Sequence, residues 1–181
     1  MSYIVSVRVT RLVATTLAIA TMVFGGAAAP ALAATASPSK QATAALSDPP
    51  APTNPTIARA NQIMGLDYKA FDALPKNEAP FDWGNDGCSN PAGSVPVLGD
   101  FDDDFFRACV LHDFGYRNYG HGLALSPNED TRGWIDDRLL QETRRICNNE
   151  VPFLDRLICH GVASAFWTAV RTFGRGSFYN G

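Results

Sequence analysis

Asp104-Phe105-Phe106-Arg107-Ala108-Cys109-Val110-Leu111-His112-Asp113-Phe114-Gly115-Tyr116-Arg117-Asn118-Tyr119 is the stretch on which the fold turns. Asp104 is a good N-cap, so a helix is expected from there to about Tyr119. On that helix His112 and Tyr116 lie four residues apart and share a face, whereas Asp113 points about 100° away toward a neighbouring element. A base, a ligand for a hard cation and a cysteine, Cys109, therefore stand side by side, a combination that suggests hydrolysis. The chain has three histidines, His112, His121 and His160, and His112 is the expected reaction centre. His121 lies in a glycine-bounded loop and His160 adjoins Cys159; neither has a spaced partner, and both read as exposed or structurally satisfied.

Two further long helices are expected downstream. The first runs from about Thr131 to Asn148, with Ile135, Leu139, Glu142 and Ile146 along one face and Arg132, Arg138 and Arg144 in the exposed set. The second runs from about Phe153 to Phe173. Its apolar positions, from Leu154, Leu157 and Ile158 through Val162 and Phe166 to Val170 and Phe173, nearly surround it, as in a buried helix, and Gly174 and Gly176 end it. Upstream, Thr56 to Met64 and Tyr68 to Leu74 read as short helices, and Asn77 to Gly99 reads as a loop weighted by Phe81-Asp82-Trp83. Alternating strand patterns are scarce. The fold class is all-α, with antiparallel core helices in one small domain spanning residues 56–181.

The N-terminal end carries Arg8 and Arg11, an apolar run from about Leu12 to Phe24, and small residues ending in Ala31-Leu32-Ala33, the pattern of a cleaved secretory signal over residues 1–33. A membrane anchor is the rival, but the run is shorter than the roughly 20 residues that span a bilayer. Residues 34–55, rich in Ala, Pro, Ser and Thr, hold too little apolar bulk to fold and read as a linker or propeptide-like arm. Cleavage removes two of the 15 basic side chains and none of the 18 acidic ones, making the chain more acidic than its formal −3. Nucleic acid is therefore not an expected partner.

Cys88, Cys109, Cys147 and Cys159 make an even count in an exported chain, so two disulfides are expected. Of three possible connectivities the local one, Cys88–Cys109 with Cys147–Cys159, is favoured because each bridge closes a short loop beside a predicted helix. Zinc is the rival, although no Cys-x-x-Cys or His-x-x-x-His spacing is present.

A histidine acting as general base needs a partner to fix its tautomer, usually a carboxylate. Asp136, on the next helix, is the candidate; periodicity turns it inward and Asp137 toward the arginine side, with a pair of solvated carboxylates as the alternative. In Trp83-Gly84-Asn85-Asp86-Gly87-Cys88, a disulfide from Cys88 to Cys109 would carry Asp86 and the Gly87 carbonyl close to Asp113, an all-oxygen cluster suited to calcium. Without that disulfide Asp86 is only a turn residue. Asp100, Asp102, Asp103 and Asp104 do not form an EF-hand, since counting from Asp100 puts Phe105 sixth and Leu111 twelfth; they read as a solvated acidic turn and helix cap.

The segments Phe81-Asp82-Trp83-Gly84-Asn85-Asp86-Gly87-Cys88 and Ala108 to Tyr119, together with Ile135-Asp136 and Cys147, resemble the secreted phospholipase A2 family of actinobacteria and fungi. The resemblance covers roughly Phe81 to Cys159. It implies an all-helical domain with two disulfides, calcium dependence and hydrolysis of the sn-2 ester of glycerophospholipids. It makes His112 the base that activates water and Asp136 its orienting partner, and assigns calcium to the Asp86 side chain, the Gly87 carbonyl and the Asp113 side chain; Tyr116, on the helical face of His112, is the expected supporting residue. Val110-Leu111 and the acidic run before the helix depart from the usual family pattern and bear on lipid preference rather than on the chemistry.

The expected partner is phospholipid at a membrane or micelle surface, met by a secreted monomer. The rival of another class is a catalytically silent calcium- or lipid-binding protein on the same scaffold, against which the intact His112, Asp113 and Asp136 argue. A calcium-independent esterase or nuclease using the same histidine is a further alternative.

Overall fold

A computed structural model describes residues 47–88 and 101–181, without the side chain of Asp102. The expected leader, the first part of the arm and residues 89–100 of the expected loop lie outside the described residues. Among the described residues all regular structure is helical.

Helix α1 spans Pro55–Met64. The Asn54 side chain accepts the Ile57 N–H at 2.9 Å and Pro55 fills the first position, so two local signals fix its start. Residues 47–54, the end of the arm, are not helical but are tied down: the Ser47 hydroxyl donates to Asp137 at 2.8 Å, and Asn61 donates to the Pro50 carbonyl at 2.8 Å. Helix α2, Tyr68–Asp72, is capped by the Asp67 carboxylate, which accepts the Lys69 and Ala70 N–H groups.

Helix α3 is Asp102–Gly115. Its N-cap, Phe101, lies three residues before the expected one, because the Phe105 N–H reaches the Phe101 carbonyl at 2.9 Å. Asp104 is therefore a first-turn residue rather than the N-cap, and favours the helix through its dipole instead. The α-helical register also ends before Tyr119. From Tyr116 to His121 the chain widens into a π-helical turn, in which the Gly122 N–H reaches back five residues to the Arg117 carbonyl.

Helix α4, Glu129–Asn149, opens on Asn128, whose side chain accepts the Thr131 N–H at 2.9 Å. It packs against α3 on one side and α5, Arg156–Phe173, on the other. Gly115 sets the α3–α4 approach: a Cβ there would lie 2.7 Å from Ile135 Cγ2. The two expected disulfides are the observed ones, Cys88–Cys109 and Cys147–Cys159, and with no free cysteine the zinc alternative has no thiolate to use.

Two expectations about solvent fail. Arg132 and Arg138 are buried, and only Arg144 of that trio is exposed. Each buried guanidinium has a carboxylate one turn away, Asp136 for Arg132 and Glu142 for Arg138, and finds carbonyls besides, such as those of Met64 and Leu66 for Arg138. Helix α5, conversely, is not buried all round. Cys159, Val162, Ala163, Phe166 and Val170 face α4, while Leu157, Ile158 and Phe173 are exposed, as are Phe153 and Leu154 before the helix. Gly174 does end α5, but Gly176 lies inside a short helix α6, Arg175–Asn180, that buries Phe178.

The core forms two clusters. One joins Tyr68, Phe105 and Cys109 to Leu139, Ile146 and Phe166; the other gathers Met64, Phe71, Leu111 and Phe114 around Trp134, Ile135 and Phe178. Helices α3 and α4 contribute to both. Passing along α3, Cys109 belongs to the first and Leu111 and Phe114 to the second, so His112 stands where the two meet.

Candidate active site

His112 and Asp136 come together from the facing sides of α3 and α4. The imidazole Nε2 is 2.9 Å from Asp136 Oδ1, and the carboxylate is fully buried. Tyr116, one turn beyond His112, donates its hydroxyl to the same oxygen at 2.8 Å, and the two rings lie 4.2 Å apart. Burial first, and then the Asp136 charge, push the Tyr116 pKa upward, so its hydroxyl stays a donor. An imidazole that donates from Nε2 to a carboxylate leaves Nδ1 as an acceptor.

The other oxygen of Asp136 is also occupied. Oδ2 lies 3.1 Å from Arg132 Nη1 and 3.4 Å from Arg171 Nη1. Sequence reasoning missed both arginines. The Arg132–Asp136 spacing of four residues on one helix was the available signal; nothing in the sequence brings Arg171, 35 residues beyond Asp136, to the same carboxylate.

Asp113 points to a different neighbour, as its place on the helix requires. The Asp86 N–H donates to Asp113 Oδ2 at 2.9 Å, and the Cys88–Cys109 bridge ties the loop to α3 one turn before Asp113. Between Asp86 and Cys88 the backbone passes through Gly87 at φ +69°, a left-handed conformation in which a side chain would be strained. Upstream the loop is pinned by Asn118: its Oδ1 accepts the Asp82 N–H at 2.9 Å, and its amide donates to the Asp82 and Phe114 carbonyls at 2.8 Å. Trp83 packs on Phe114 with centroids 4.8 Å apart. The sequence reading assigned Asn118 no role.

Burial raises the Asp113 carboxyl to about 7, with the Asp86 carboxylate adding to the rise and His112 and the Asp86 N–H opposing it. Two carboxylates held together in this way favour a cation between them. Among the described residues no group of three or more His, Cys, Asp or Glu side chains could hold a metal. What is present is a pair of carboxylates beside a loop of peptide oxygens, a donor set that fits a hard, oxygen-seeking cation.

These groups share a cavity of about 90 Å³, with Asp86, Gly87, His112 and Asp113 on one side and Leu139, Phe166 and Val170 on the other. Ser177 also borders it but makes no hydrogen bond to His112, so no serine–histidine pair is formed. His121 and His160 are satisfied elsewhere, by the Ser177 carbonyl at 2.9 Å and by Asn148 Oδ1 at 3.0 Å.

Comparison with known proteins adds to this geometry. The model of the prokaryotic phospholipase A2 family matches residues 62–174, more than half of the chain. The chain belongs to the prokaryotic phospholipase A2 family. A secretory phospholipase A2 of Beauveria bassiana (strain ARSEF 2860) is 31% identical over 99 residues, covering 55% of this chain and 47% of that protein. The chain thus spans about half the length of that relative. The stretch matched to the prokaryotic phospholipase A2 family contains His112, Asp136, Asp86 and Asp113 and all four cysteines.

Proposed function

We propose that the protein is a secreted, calcium-dependent phospholipase A2 that hydrolyses the sn-2 ester of glycerophospholipids to a free fatty acid and a lysophospholipid. The observation that carries this reading is the 2.9 Å contact of His112 Nε2 with the buried Asp136, from which His112 faces a cavity that Asp86 and Asp113 also line. Family membership supports the reaction class, and the name of the fungal relative supports export. The leader read over residues 1–33 and the two disulfides also favour export; among the described residues no helix is long and apolar enough to cross a membrane.

In this reading His112 is the base. Its Nδ1 takes a proton from the attacking water, while Asp136 holds the Nε2 proton and stabilises the imidazolium that forms. Water attacks the ester directly. The Asp86 and Asp113 side chains and the Gly87 carbonyl would hold calcium, which would supply a Lewis acid for the ester carbonyl and a countercharge for the lipid phosphate. Leu139, Phe166 and Val170 give the acyl chain an apolar wall.

The test uses purified secreted protein and phosphatidylcholine with different acyl chains at the two positions, dispersed in mixed micelles. The acid from the sn-2 position is expected in calcium and none in chelator. Release that is indifferent to chelator would contradict the metal assignment, and sn-1 acid the positional one. A folded, calcium-binding protein that frees no acid would be the silent binding scaffold.

A further inference from the structure

We infer that Arg132 is a positioning residue of the site, holding Asp136 as a carboxylate that can only accept and thereby keeping the single ring proton of His112 on Nε2. This rests on the hydrolytic reading of the His112–Asp136 pair. A carboxylate offers about four lone-pair positions, and Asp136 has four neighbours on them: His112 Nε2 and Tyr116 Oη on Oδ1, Arg132 Nη1 and Arg171 Nη1 on Oδ2. A guanidinium donates and never accepts, and it stays charged at any working pH. No carboxylic proton fits on Oδ2, because it would face two N–H groups.

The consequence falls on the imidazole. With Oδ2 held by two guanidinium donors and one lone pair of Oδ1 taken by the Tyr116 hydroxyl, Asp136 meets the ring as an acceptor, so His112 presents Nε2–H to it and Nδ1 remains a lone pair. Were the carboxyl free to turn or to carry its own proton, it could donate to Nε2 instead, and the ring proton would move to Nδ1, where a base has no use for it.

Arg132 is built for such a task. It is buried, and every edge of its fork is engaged: Nε and Nη2 each lie 2.9 Å from Glu129, Nη1 bonds Asp136 and, at 3.3 Å, the Val170 carbonyl, and Nη2 reaches the Arg171 carbonyl at 3.4 Å. It therefore fixes the Asp136 rotamer from the preceding turn of α4 and ties that turn to the end of α5, whose Val170 lines the cavity. Arg171 is the weaker partner: it is more exposed and farther away, and it reaches over Gly133, where a Cβ would meet its Nη1 at 2.8 Å.

The experiment is a double-mutant cycle on the full calcium-loaded protein with Arg132→Met, Asp136→Asn and the two combined, reading kcat and KM on phosphatidylcholine micelles. Calcium affinity is measured by calorimetry, and the protonation site of His112 by ring 15N shifts in histidine-labelled protein. Arg132→Met is expected to lower kcat about 100-fold, as mispositioning a reacting group does. KM and calcium affinity should stay within about twofold, and the His112 signal should move from the Nε2–H form toward Nδ1–H. In Asp136→Asn the same arginine change should have almost no further effect, since the two act as a unit. Arg132→Lys, which keeps the charge, should recover much of the lost rate.

Arg132→Met with the wild-type rate and ring signal, or a fall equally large in the Asp136→Asn background, would overturn the inference. A lysine variant as poor as the methionine one would do the same. If Arg132→Met does not fold, Arg132→Gln enters the same cycle and is judged by the same criteria. Asp136→Asn with full activity would instead remove the hydrolytic reading itself, whatever the arginine variants do.

Discussion

Asp136 and Asp113 both flank His112, one facing it from α4 and one beside it on α3, and their surroundings differ. Asp136 is fully buried and has four donors, two of them guanidinium groups. Asp113 is half-buried, receives the Asp86 N–H, and has a second carboxylate as its neighbour. One site has its positive charge built into the chain; the other gathers negative charge and leaves the cation to be supplied. The same side chain is thus a fixed partner for an imidazole in one place and, in the proposed function, a metal ligand in the other, and the neighbours make the difference.

The sharpest way to break this contrast is to remove the groups one at a time. His112→Ala and Asp136→Asn are expected to lower kcat by about 1,000-fold or more, by analogy with other aspartate-held histidine bases, while calcium binding measured by calorimetry stays near wild type. Asp113→Ala and Asp86→Ala should weaken calcium binding and activity in parallel, by about 100-fold. If Asp136→Asn lost calcium affinity, the two carboxylates would not have separate roles.

Asn118→Ala comes next. It leaves every assigned ligand in place but releases the Asp82 end of the loop, so a roughly tenfold loss of calcium affinity is expected, the worth of about one charge-free hydrogen-bond pair. Calorimetry on a variant with unchanged α-helical circular dichroism checks it. Tyr116→Phe should have the smallest effect, a few-fold fall in kcat from one lost donor to Asp136, with calcium affinity untouched.

Proton and cation should compete at Asp113. Unfolded, its carboxyl titrates near 3.8; folded, near 7. Between those values the folded chain holds the extra proton, so in chelator this group makes stability fall as pH rises toward about 7. Calcium in place of the proton should flatten that slope. Melting temperature against pH, in chelator and in calcium, checks it, and parallel curves would remove the competition.

Much of the site was legible because its members are local. His112 and Asp113 are adjacent on one helix, Asp86 sits two residues before the cysteine that ties its loop to α3, and the periodicity of α4 turned Asp136 inward. Arg132 was misread because charge on a helix ordinarily marks the solvent face, yet a carboxylate one turn away was there to neutralise it. Asn118 gave no signal, since its partner Asp82 lies 36 residues earlier and the pairing exists only once the loop lies along α3. The outer face of α5 was misread for the opposite reason. Leu157, Ile158 and Phe173 are apolar, but apolarity shows that a residue can be buried, and only a neighbouring element buries it.

The most direct test is calcium titration by calorimetry of Asp136→Asn and Asp113→Asn side by side, with each variant's lipid hydrolysis measured in the same buffer. Two nearly inactive proteins are expected, of which the first binds calcium like the wild type and the second scarcely at all. Equal calcium affinity in the two variants would mean that Asp136 and Asp113 do not divide the roles of imidazole partner and metal ligand.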